Sequence, residues 1–257
     1  MSMLEVRNLS VFLGGKAVVD CVSFNAETGV TMLLGPNGCG KSTLIRALMG
    51  LIPSEGEIRL DGQELHGMSV RKRARMLAYL PQRQTIPPGT TLLDYVAMGA
   101  SPAGALLAAP GAAARSQAMS ELDKLDMAKM HGRMLDTLSG GEARLASLAR
   151  TRMQGGSLTL MDEPLAGLDF YRQHQFMAHA RSNNTPILMS LHDPTFAWQY
   201  ADRLLVMENG RIAAFEKGDA AGFSETMTRI FGANLRFEHA GSQYLPIWNP
   251  TIERIMK

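Results

Sequence analysis

The sequence predicts an α/β fold: a parallel sheet with a glycine-rich loop, a β-rich region at the N-terminus, and a helical insertion in the middle. Three observations predict it. The solidly apolar run Val30–Leu34 leads straight into GPNGCGKST (Gly35–Thr43), and helical spacing follows over Lys41–Met49. Two further apolar runs, Leu158–Met161 and Ile187–Leu191, each end in polar residues, as buried parallel strands do at a ligand-bearing edge. Residues 3–62 alternate with period two, whereas strand signals fade between Gln84 and Leu138.

Taken in order, Leu4 and Val6 alternate with Glu5 and Arg7, Val22 and Phe24 flank Ser23, and Ile58 and Leu60 flank Arg59. Gly50 is placed to cap the helix over Lys41–Met49. A Pro-Pro-Gly break at Pro87–Gly89 precedes helical candidates at Leu92–Met98 and Ser116–Met130, and the helical insertion continues past LSGGE (Leu138–Glu142). Leu204–Phe215, centred on Asn209–Gly210, reads as a hairpin. Asp193–Pro194 reads as an N-cap followed by a first-turn proline. The basic run Arg71–Arg75 reads as a solvated helix face.

A chain of 257 residues suffices for one large domain with an inserted subdomain. A net charge of +2, with Lys and Arg scattered, argues against a nucleic-acid surface. Two cysteines, Cys21 and Cys39, are too few for a disulfide framework, and a reducing, cytosolic setting is expected. MSMLEVRNLS lacks a signal-peptide core, and the longest small-apolar stretch, Ala100–Ala114, is broken by Pro102, Gly104, Pro110 and Gly111. A soluble chain is expected, reaching any membrane through a partner.

The chemistry concentrates in three motifs. Gly35, Gly38 and Gly40 let backbone N–H groups close around a polyphosphate, with the helix dipole behind them. Lys41 is expected to reach the β- and γ-phosphates, and the Ser42 hydroxyl to bind Mg²⁺. Pro36, Asn37, Cys39 and Thr43 complete the loop, with Cys39 a small filler or a redox group. Asp162 is the expected Mg²⁺ carboxylate and Glu163 the expected general base for the attacking water. Phe12, before Gly14–Gly15, either stacks on adenine or belongs to the core. His192 either hydrogen-bonds a γ-phosphate or caps the next element. The remaining histidines show no metal-ligand spacing.

With LSGGE, the Gln82 of YLPQ, MDEP (Met161–Pro164) and AGLD (Ala166–Asp169) in this order, the chain resembles the nucleotide-binding subunits of ATP-binding cassette (ABC) systems from about residue 3 to residue 249. The resemblance implies a P-loop NTPase (ABC ATPase) core with a parallel sheet, an N-terminal antiparallel β subdomain and an inserted helical subdomain. Residues 1–257 then form one ABC ATPase domain, with 1–83 and 154–257 as catalytic core and 84–153 as the helical subdomain carrying the signature.

It further implies that two copies pair head to tail around ATP and Mg²⁺. Ser139, Gly140, Gly141 and Glu142 of one copy then complete the site of the other, with Asp169 at the same interface. Gln82 would sense γ-phosphate and Mg²⁺, and His192 would act as a switch. The expected partners are a second copy, integral-membrane permease subunits and, indirectly, a solute-binding protein, at the cytoplasmic face of the bacterial inner membrane. Glu142 stands where glutamine is common, and the following helix carries fewer basic and glutamine residues than usual.

TLLDYVAMG, HDPTFAWQYADRLLVMENGRI and the C-terminal stretch Arg229–Pro250 are similar to importers of iron–siderophore, haem or cobalamin compounds. The alternative is a soluble ABC ATPase of the iron–sulfur cluster assembly type, whose acidic motif tends to read DES where this chain has DEP. A DNA-maintenance ATPase would need a long coiled coil between phosphate loop and signature. An exporter is disfavoured for want of a fused membrane segment.

Overall fold

The computed structural model describes residues 3–83, 89–101, 110–182, 184–216, 219–231, 234–240 and 243–249. Pro87 and Pro88 of the expected break, most of the Ala100–Ala114 run, Gly232 and Pro250 lie outside these residues. In chain order the elements begin with strands β1 (Leu4–Leu13), β2 (Lys16–Ala26) and β3 (Val30–Leu34) and helix α1 (Lys41–Leu48). Next come β4 (Glu55–Leu60), β5 (Gln63–Glu64), α2 (Val70–Met76) and β6 (Leu77–Leu80). The middle is helical, with α3 (Leu92–Ala97), α4 (Ala112–Asp123) and α5 (Gly140–Gln154). The chain continues with β7 (Leu158–Met161), α6 (Phe170–Arg181), β8 (Ile187–Ser190), α7 (Pro194–Tyr200), β9 (Arg203–Glu208) and β10 (Arg211–Glu216). Helix α8 (Ala220–Phe231) and the hairpin β11 (Asn234–Ala240) and β12 (Gln243–Asn249) complete it.

The central sheet has the order β10-β9-β3-β8-β7-β6, parallel except for the β9–β10 hairpin. Asn209 and Gly210 turn that hairpin in left-handed conformations, as the Asn-Gly pair predicts. A second, antiparallel sheet, β2-β1-β4-β5, joins the alternating segments of the N-terminal region. Successive residues of β3 face opposite cores. Met32 and Leu34 pack with the helical side, including Phe176 and Phe196, while Leu33 packs with Leu44, Ile45 and Leu48 of α1 and the antiparallel sheet. A strand buried on both faces reads as an unbroken apolar run because period two leaves no solvent side.

Two local expectations are corrected. The helix expected over Ser116–Met130 starts earlier, at Ala112, and stops at Asp123, with only a 3₁₀ turn at Ala128–Met130. Asp126, with φ at 58°, breaks the right-handed path between them. The Arg71–Arg75 run is not uniformly solvated. Arg73 is buried and its guanidinium donates to the Leu65 carbonyl, beside Gly50, where a Cβ would collide with it.

Helices α4, α5 and α6 are joined by one carboxylate. Glu121 accepts from Lys124 Nζ at 2.6 Å and Arg152 Nε at 2.7 Å, and His179 Nε2 lies 3.3 Å away. Burial raises the Glu121 carboxyl, but His179, Lys124 and Arg152 outweigh that and hold it well below its ordinary value of 4.5. A depressed carboxyl stabilises the fold above its unfolded value and loses that contribution as pH falls below it. Glu121→Gln is expected to cost about 2 kcal/mol at pH 7. In thermal melts at stepped pH, the gap to the parent protein should close below pH 4.5. A gap that ignores pH would contradict this.

Candidate nucleotide site

The sheet order brings four loops side by side. β3, β8, β7 and β6 are neighbours and parallel, so the segments leaving their C-terminal ends gather at one edge. Those segments carry the glycine-rich loop, His192, Asp162 with Glu163, and Gln82.

The glycine-rich loop is moulded by the strands beneath it. Gly35 has φ 149°, and a Cβ there would meet the Met207 carbonyl at 2.2 Å. Gly40 has φ 113°, and a Cβ there would meet the Val18 carbonyl at 2.7 Å. Cys39 is buried, with its sulfur against Gly35, so it fills the space under the loop; burial raises its thiol pKa despite nearby Lys41. Asn37 and Gly38 face solvent, while Pro36 and Thr43 are half-buried.

Lys41 opens α1 and is 95% covered. Its ammonium donates to the Gly35 carbonyl at 2.6 Å and the Pro36 carbonyl at 3.1 Å, bent back over the loop crown. Burial lowers its pKa, against the pull of Cys39, Glu163 and Asp162.

Ser42 Oγ donates to Asp162 Oδ1 at 2.9 Å, and Ser190 Oγ donates to the same oxygen at 2.8 Å. Asp162 is fully buried, and its Oδ2 accepts no hydrogen bond among the described residues. A buried carboxylate oxygen left open beside a hydroxyl suits a hard cation or its water, so Ser42 and Asp162 fit Mg²⁺. Among the described residues, no cluster of three or more His, Cys, Asp or Glu side chains offers a denser metal site.

Glu163 sits between two partners from different loops. Gln82 Nε2 donates to Glu163 Oε2 at 2.7 Å, and His192 Nε2 lies 2.5 Å from Oε1. The Glu163 backbone takes φ 46°, unusual for a residue with a Cβ, and its N–H donates to Ser190 Oγ at 2.8 Å. Ser190 thus orients both acids. It escaped sequence reading, although a hydroxyl closing the otherwise apolar ILMS strand was the available signal.

The signature occupies a separate position at the start of α5. Ser139 caps the helix, its Oγ accepting from Glu142 N–H, while Glu142 Oε2 accepts from Ser139 N–H at 2.8 Å. The Ser139 backbone bond, the largest influence, holds the Glu142 carboxyl below its ordinary range. Gly140 has open space at its Cα, and a Cβ on Gly141 would touch Leu168. Asp169 caps α6, its Oδ1 accepting from Arg172 N–H at 2.8 Å. Asp193 caps α7 with Pro194 in the first turn, as read from sequence, which leaves His192 outside the cap. Phe12 is 53% exposed, which removes the core reading and leaves an aromatic face open to solvent.

The family model described as ABC transporter matches residues 19–166. A hemin import ATP-binding protein HmuV of Shewanella denitrificans is 32% identical over 95% of this chain and 99% of its own length. That of Rhodococcus jostii is 37% identical over 89% and 80%. An iron chelatin transport ATP-binding protein of Helicobacter pylori is 30% identical over 91% and 94%. Among solved structures, a metal-chelate type ABC transporter in an inward-facing conformation superposes with a TM-score of 0.82, 25% identity and 99% coverage of both chains. Among the described residues, no helix is long and apolar enough to cross a membrane. This chain belongs to the ABC transporter family, as one of its ATP-binding, ATP-hydrolysing subunits.

Proposed function

We propose that the chain is the motor subunit of an importer for iron–siderophore, haem or cobalamin compounds, working through a separate permease at the inner membrane. The convergence of Gln82 and His192 on Glu163 supports the chemical part of this reading, because a carboxylate held by side chains from two neighbouring loops suits a general base. The hemin and iron-chelatin relatives support the cargo class.

In this reading Gly35–Thr43 binds the triphosphate, and Lys41 exchanges its two loop carbonyls for β- and γ-phosphate oxygens. Ser42 and Asp162 hold Mg²⁺, with Gln82 alongside. The cation supplies charge compensation for the phosphates. Glu163 orients the attacking water and accepts its proton, His192 donates toward the γ-phosphate, and Phe12 stacks on adenine. Ser139, Gly140, Gly141 and Glu142 of a second copy close over the same nucleotide, with Asp169 at the seam. Gln82, at the junction with the segment that carries the signature, senses the γ-phosphate and passes closure to the permease.

A tagged chain purified from membranes should bring with it a two-copy permease whose reconstituted vesicles take up haem or an iron chelate only with ATP. Uptake of an unrelated solute would reject the cargo class. Recovery with a cluster-assembly scaffold would reject transport.

A further inference from the structure

Arg144 lies on α5, five residues after Ser139, is half-buried, and turns its guanidinium toward the loops that follow β6 and β7. Every one of its N–H donors has a backbone carbonyl. Nε donates to Pro164 O at 2.7 Å. Nη1 donates to Pro81 O at 2.9 Å and Gln82 O at 3.3 Å. Nη2 donates to Asp162 O at 3.2 Å and Glu163 O at 2.7 Å. Five donors on one rigid plane thus meet five acceptors on two loops. Those loops carry the two side chains that meet at Glu163 Oε2.

Such an arrangement exceeds what packing a helix requires. Carbonyls at strand ends are ordinarily satisfied by water or neighbouring strands, and a cation drawn partly out of water costs free energy unless its donors are used. Here the fork also braces Glu163 in a left-handed backbone conformation that a side-chain-bearing residue disfavours. The same helix opens with the Ser139 capping box, so the signature and the acidic loop are joined through one turn and a half of helix and one side chain.

We infer that Arg144 is a positioning residue for ATP turnover: it locks the Gln82 and Glu163 backbones in register and makes the signature helix move with them. The inference rests on the reading of Glu163 as base. Lysine cannot substitute, because one ammonium is a point donor that reaches one loop at a time.

The test uses full-length Arg144→Ala, Arg144→Lys, Glu163→Gln and the double variant Glu163→Gln/Arg144→Ala. Both single Arg144 variants should bind ATP within about twofold of the parent, while kcat falls about 10–100-fold, the scale of a 1 Å misplacement. Under single-turnover conditions Arg144→Ala should add no further loss in the Glu163→Gln background, since it acts through that carboxylate. Amide exchange should rise at residues 80–83 and 161–164 and stay unchanged at 35–43. Parent-like kcat in a folded Arg144→Lys would overturn the inference. So would losses that multiply in the double variant, or a fall in ATP affinity as large as the fall in kcat. Should Arg144→Ala fail to fold, Arg144→Lys decides alone, through kcat and exchange. A Glu163→Gln protein that turns over normally would instead remove the base reading, whatever Arg144 does.

Discussion

Glu163→Gln should bind ATP as well as the parent and hydrolyse it about 10²–10⁴-fold more slowly, the range for loss of a positioned general base. The substitution is gentle because both neighbours can adapt. Gln82 presents an amide that can offer oxygen in place of nitrogen, and the His192 ring still finds a carbonyl oxygen. The backbone anchors, Ser190 Oγ on the Glu163 N–H and Arg144 on its carbonyl, do not involve the side chain at all. A rate loss with intact affinity therefore reports chemistry and not collapse of the loop. Steady-state turnover alongside equilibrium nucleotide binding checks it, and unchanged turnover would remove Glu163 from the reaction.

Ser139→Arg should abolish turnover to a similar extent while a single copy still binds ATP. Ser139 lies at the N-terminus of α5, apart from the glycine-rich loop that leads into α1 of the same chain. Its role as a helix cap predicts a stability loss of about 1 kcal/mol, too small to empty a nucleotide site. An arginine at that position, however, places a long cation where a facing copy must approach. Loss of turnover with retained binding and folding therefore separates action on a partner's nucleotide from simple structural damage. Near-parent turnover would show that the signature serves no second copy.

Much of this was legible because local chemistry dictated it. The run before GPNGCGKST, apolar but for Thr31, reads as a strand buried on both faces because a turn and a helix follow it, and the Asn209–Gly210 turn named its hairpin. Loop residues were legible for the same reason: only glycine fits against the Met207 and Val18 carbonyls. Strand order was not, because nothing local to β7 or β8 says which lies beside β3. That order alone gathers Gln82, Glu163 and His192. Arg73 was misjudged, and Arg144 passed over, for a related reason. A charge on a helix reads as solvated unless carbonyls from elsewhere in the chain await it, and those carbonyls come from tertiary structure. Ser190 reads as the ordinary end of a strand, yet its hydroxyl donates to the Asp162 carboxylate and accepts the Glu163 backbone N–H.

Solution scattering of Glu163→Gln with ATP and Mg²⁺ weighs the whole account at once. Mass should double on adding nucleotide, return to that of one chain when ATP is removed, and stay single in a Glu163→Gln/Ser139→Arg protein. One chain per particle at saturating ATP, with or without the permease to hold two together, would contradict it.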